Sequence, residues 1–86
     1  MFAVYCYEIS CNVYIFDTEP EARVCYSLLE AICGYDNNLT NVEVVFMDEF
    51  ETYEEIKNDQ IELFMEIGDN QPFYLIYKGE TEAVYA

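Results

Sequence analysis

Eighteen carboxylates and three cations can share one folded chain of 86 residues only if most of the negative charge lies on its surface. The cations are Arg23, Lys57 and Lys78; histidine is absent, and the formal net charge is -15 at pH 7. Acidic chains that stay unfolded are poor in aromatic and β-branched residues. This chain has nine Tyr and six Phe within a hydrophobic fraction of 53%. Together these features call for an apolar core inside an anionic skin. They fit one domain over 1–86, a size that buries roughly 60% of the unfolded surface.

Such a skin excludes several roles. Phosphates are repelled and no basic patch exists, so direct nucleic-acid binding is not expected. Anionic membrane surfaces are repelled too, and no apolar run approaches the ~20 residues of a span. Met1 to Cys6 lacks the basic start and small-residue cleavage pattern of a secretion signal, so a cytoplasmic protein is expected. Cys6, Cys11, Cys25 and Cys33 form no CxxC pair and match no zinc spacing; they read as free thiols acting as small hydrophobes. Asp36-Asn37-Asn38 and Asp69-Asn70-Gln71 offer oxygen ligands but lack the calcium-loop pattern and its closing Glu, so no metal is expected. Without a nucleophile motif, a Gly-rich phosphate loop or any histidine, the chain reads as a non-enzyme with no cofactor.

Local pattern gives the elements. Residues 2–9 and 13–17 are aromatic and β-branched, separated by the polar break Ser10-Cys11-Asn12, and read as antiparallel strands. Thr18 with Glu21 makes a capping box, Pro20 suits a first helical turn, and Gly34 supplies a stop. A helix is therefore expected over about 19–33. Its apolar stripe is Ala22, Cys25, Leu28, Leu29 and Ile32, and its outer face Glu19, Arg23, Tyr26 and Glu30. Residues 42–47 read as a third strand, and Thr52 with Glu55 opens a short second helix over about 53–59. Residues 61–67 alternate and read as a strand, with Glu62, Phe64 and Glu66 outward. Gly68 to Pro72 is a turn, and 73–78 and 81–85 are the last strands, turned at Gly79-Glu80. The sum is an α+β domain: a mostly antiparallel β-sheet with one main helix packed on one face.

Asp48, Glu49, Glu51, Glu54 and Glu55 place five carboxylates within eight residues, offset nearby only by Lys57. They read as an anionic docking patch. Glu62 and Glu66 on one strand face, about 13 Å apart, and Glu80 and Glu82, about 6.7 Å apart, extend it. Carboxylates fixed in such rows can imitate the phosphates of a nucleic-acid strand in a groove lined with Lys and Arg. Tyr26 and Tyr53 read as exposed rings suited to an arginine-rich partner. The expected partner is a basic nucleic-acid-binding protein, met by a monomer or weak dimer.

In length, acidity, aromatic α+β character and want of catalytic residues, the chain resembles a class: the small anti-defence proteins of phages, the anti-CRISPR and anti-restriction DNA mimics. The resemblance covers the chain as a whole and transfers no residue role. It implies an inhibitor that occupies the DNA-binding channel, at its PAM-reading or strand cleft, of a CRISPR effector complex. An anti-restriction protein is the nearest alternative. Further alternatives are an antitoxin or acidic adaptor on a basic ribonuclease, and a homo-oligomeric structural protein.

Overall fold

The computed structural model describes residues 1–6, 12–33, 45–67 and 72–85, without the side chains of Cys33, Phe64, Glu66 and Ile67. The elements run β1 (Phe2–Cys6), β2 (Asn12–Phe16), α1 (Glu19–Cys33), β3 (Val45–Glu49), α2 (Tyr53–Ile67), β4 (Phe73–Tyr77) and β5 (Glu80–Val84). The five strands form one sheet in the order β3-β1-β2-β4-β5. Its ladders are antiparallel except β2–β4, which is parallel. The fold is thus α+β with a mostly antiparallel sheet.

Two features differ from the sequence expectation. Residues 61–67 are helical and continue α2, so there is no strand there and the second helix is fifteen residues long. Strong helix formers fill the segment, and Tyr53, Ile56, Gln60 and Leu63 recur at helical spacing. Gln60, fully buried, sits at an inward position and breaks the apolar pattern that would otherwise mark a helix. The sheet is also covered on both faces. Ala3, Tyr5, Val13, Ile15, Phe73, Leu75 and Val84 pack with Ile56 of α2. On the other face Val4, Cys6 and Val45 pack with Ala22 of α1.

Topology explains the two faces. The connection β2–α1–β3 steps across β1 in one direction, and β3–α2–β4 steps across β1 and β2 in the other. Parallel crossovers share one hand. Two crossovers of the same hand that step in opposite directions place their helices on opposite faces.

Thr18 and Glu21 meet through their side chains, Thr18 Oγ1 donating to Glu21 Oε1 at 2.6 Å. At α2, Glu55 N–H donates to Thr52 Oγ1 at 3.2 Å, as a capping box requires, while the Glu55 carboxylate accepts from Glu51 N–H. Cys6 is a buried free thiol and Cys25 a half-buried one. Cys11 and both oxygen-rich loops, Asp36 to Asn38 and Asp69 to Gln71, lie outside the described residues. No helix among the described residues is long and apolar enough to cross a membrane.

The β4–β5 hairpin closes through Lys78 (φ 50°) and Gly79 (φ 79°), with Tyr77 paired to Glu80. Positive φ at both central residues is the turn that matches strand twist. A Cβ on Gly79 meets nothing within 4 Å, so its cost is purely conformational. Gly79→Ala is expected to lower stability by about 1 kcal/mol, read as a fall in the urea midpoint; an unchanged midpoint would contradict this turn assignment.

Candidate acidic interface

The site forms where α2 lies beside the edge strand β3. Strand alternation aims Phe46 and Asp48 at the α2 side, where Tyr5 stacks on Phe46 and its hydroxyl donates to Asp48. On α2, Glu55, Asp59 and Glu62 follow at intervals of four and three, one flank of a helix. Tyr5, Asp48, Asp59, Glu62 and Leu63 line a hollow of about 310 Å³. At the β3–α2 junction Glu49, Phe50, Glu51 and Glu55 line a second, larger one of about 510 Å³. No Lys or Arg is among the residues that line either hollow.

Asp59 registers the crowding. Partial burial first, then Asp48, Glu62 and Glu55, push its carboxyl pKa up from the ordinary 3.8. The folded chain therefore holds this proton to higher pH than the unfolded chain does. The associated stability is present below pH 3.8 and is lost as pH rises through the raised value. Asp59→Asn removes the like-charge contacts with Glu55 and Glu62. It is expected to stabilise the protein by about 0.5 kcal/mol at neutral pH and low salt, with the gain vanishing in acid. Thermal melts across pH check this; an equal gain at all pH values would refute it.

The opposite flank of α2 faces β5. Glu80, Glu82 and Val84 alternate toward the α2 side. Lys57 Nζ reaches Glu82 Oε2 at 2.9 Å, and Tyr53 OH donates to Glu82 Oε1 at 3.2 Å. Hydrogen bonding to Lys57, with a smaller contribution from Tyr53, holds the Glu82 carboxyl below its ordinary value. Desolvation, then Glu82, Glu54 and Glu80, push Tyr53 up to about 12. This flank is partly neutralised by Lys57, whereas the β3 flank has, among the described residues, no Lys or Arg in its lining and meets the N-terminal ammonium only at the Phe50 carbonyl, 2.8 Å away.

The predicted carboxylates therefore divide between the two flanks of α2. Asp48, Glu49, Glu51, Glu55 and Glu62 share the β3 flank, while Glu54 joins Glu80 and Glu82 near Tyr53. Glu62 and Glu66 do not sit on a strand 13 Å apart: both belong to α2, where a four-residue step rises about 6 Å. The side chain of Glu66 lies outside the described residues. Tyr53 is half-buried and tilted against Tyr77, and so is not the exposed ring expected. Tyr26 is half-buried too, packed in the α1 layer with Cys25 and Leu29, away from the acidic flank. Asp59 belongs to the site but falls outside the run of acids ending at Glu55. Only the helical phase of α2 reveals it.

Among the described residues no group of three or more side chains is arranged to hold a metal ion. No protein-family model, curated protein or solved structure matches this chain.

Proposed function

We propose that this protein is an inhibitor of a basic nucleic-acid-binding protein, acting in the cytoplasm of a bacterial host as a folded mimic of nucleic-acid charge. The observation that supports the reading best is the unneutralised row Glu55, Asp59 and Glu62 beside Asp48. Three charges fall within about 10.5 Å of helix axis. One DNA strand carries a phosphate every ~3.4 Å of axis. At steps of about 6 and 4.5 Å the row presents roughly two-thirds of that charge density on a rigid helix, with its geometry already set before binding. A groove that holds a phosphate strand with Lys and Arg can close on such a row and release its own bound anions.

A CRISPR effector complex is the target class favoured here, by class resemblance, and a restriction enzyme is next. The mechanism is competition for the channel: the protein excludes target DNA sterically and electrostatically and performs no chemistry on it. The β5 flank plays a smaller part, because Lys57 already offsets Glu82.

A gel-shift competition tests the reading. The protein is mixed with CRISPR effector–guide complexes, a restriction enzyme and a basic ribonuclease, each then offered labelled substrate nucleic acid. Loss of the nucleic-acid complex for one member, with the protein co-migrating and the effect weakening as salt rises, supports it. If every member binds its substrate normally after preincubation with the protein, competition in a nucleic-acid channel is wrong.

A further inference from the structure

The side of the sheet away from α2 is built differently. There α1 lies over β1, β2 and β3, while Tyr74 of β4 and Thr81 and Ala83 of β5 stay exposed. Tyr74 and Ile76 alternate with Phe73, Leu75 and Tyr77 and so point to this side, as do Thr81 and Ala83. The pairings Tyr74–Ala83 and Ile76–Thr81 join them into one floor, of which Tyr74, Thr81 and Ala83 are exposed. Glu21 lines a cleft with Tyr14, Phe16 and Ile76, which fixes the flank of α1 that faces this floor. Val24, Leu28 and Ile32 follow Glu21 on that flank at steps of three, four and four. They are 62%, 61% and 63% exposed. Four of the six large apolar side chains exposed among the described residues thus lie on one step-shaped surface. A contiguous apolar surface with a polar rim is the kind that marks an interaction site.

Charge decides what fits there. Glu80 and Glu82 point away from the floor, toward α2, so this side of β4 and β5 presents no carboxylate. Asp17, Glu21 and Lys78 line the same cleft, and Lys78 pairs with Asp17 at 3.2 Å, so the rim carries both signs and is far closer to balance than the β3 flank. A basic partner gains little from such a surface and is drawn to the α2 side. A two-fold contact instead sets the same patch against itself, apolar against apolar, with a rim of mixed charge. It leaves both α2 layers on the outside, about 30 Å apart on the usual ~10 Å layer spacing. Physiological salt screens charge within about 8 Å.

We propose that this surface, the flank of α1 with the open face of β4 and β5, is where two copies of the chain associate, giving a dimer with two outward acidic faces. The proposal does not depend on the identity of the target. It predicts a salt response opposite to that of the acidic face: added salt screens the residual repulsion between copies and favours the dimer, while weakening any contact with a basic partner.

Sedimentation velocity on the intact chain, up to about 1 mM protein, tests it at about 0.1 M and about 1 M salt, where the Debye length falls from about 10 Å to about 3 Å. A dimer that grows with concentration and with salt is expected. Leu28→Gln and Tyr74→Ser should each weaken it at least tenfold, and Glu62→Gln on the far side should not. Leu28 and Tyr74 are exposed, so unchanged circular dichroism is expected for both variants. A monomer throughout the range overturns the proposal. So does a dimer that survives both patch variants, which would place the contact at a sheet edge.

Discussion

Replacing Glu55 by Gln and both Asp59 and Glu62 by Lys is expected, on the proposed function, to weaken inhibition by about 10³-fold, at about 1.4 kcal/mol per altered site. Glutamine keeps an oxygen for the Glu51 N–H, so the start of α2 is preserved. The two lysines relieve like-charge contacts around Asp59, and the fold should become no less stable. Loss of function with retained or improved stability is the signature of a charged surface built for a partner. Glu30→Lys separates patch from total charge: it lies on α1, exposed and away from the acidic flank, and should change inhibition less than threefold. Titrating each variant against the sensitive member of the competition panel measures the effect. The triple variant changes the net charge by +5 and Glu30→Lys by +2, so an equal loss per unit charge in the two would mean that net charge matters and the α2 row does not.

Ile56→Ala is expected to cost about 3 kcal/mol, the usual range for emptying a fully buried aliphatic site. Ile56 is fully buried and joins α2 to Phe73, Leu75 and Val84 beneath it. A domain of this size holds only about 4–13 kcal/mol in all. The variant should therefore lose a large share of its stability without any change in charge. Met65→Ala, on the same helix but 65% exposed, should shift stability by less than about 0.5 kcal/mol. Denaturant melts of the two variants check the pair. A cost below about 1 kcal/mol for Ile56→Ala would show that α2 is not seated through this residue.

Much of the fold was legible because local signals agreed with it. The aromatic blocks around Val4, Ile15 and Leu75 are strands, and the Thr18 cap opens a helix that ends within the limits its pattern sets. The later half of α2 was hidden by two features. Its sequence from Ile61 to Ile67 alternates, and the buried Gln60 occupies the position where an aliphatic residue would have shown the helical period. Misreading that segment displaced Glu62 and Glu66 and concealed Asp59, since only a helix brings Glu55, Asp59 and Glu62 to one flank. On α1 the apolar stripe was wider than the surface it covers: Ala22, Cys25, Tyr26 and Leu29 pack inward, leaving Leu28 and Ile32 exposed. The two-sided packing follows from which strands pair across the sheet, and periodicity carries no such information.

The parallel β2–β4 ladder also sets the order of events during folding. It pairs Asn12 with Tyr74 and Ile15 with Tyr77 and alone joins the C-terminal hairpin to the other three strands. Contacts so distant along the chain form slowly, because the intervening segment must first be ordered. Until β4 arrives, α2 lacks Phe73 and Leu75 beneath Ile56. Chain growth through β3 and α2 therefore yields all the carboxylates of the β3 flank before their scaffold exists, and the charged face matures only when the last hairpin docks.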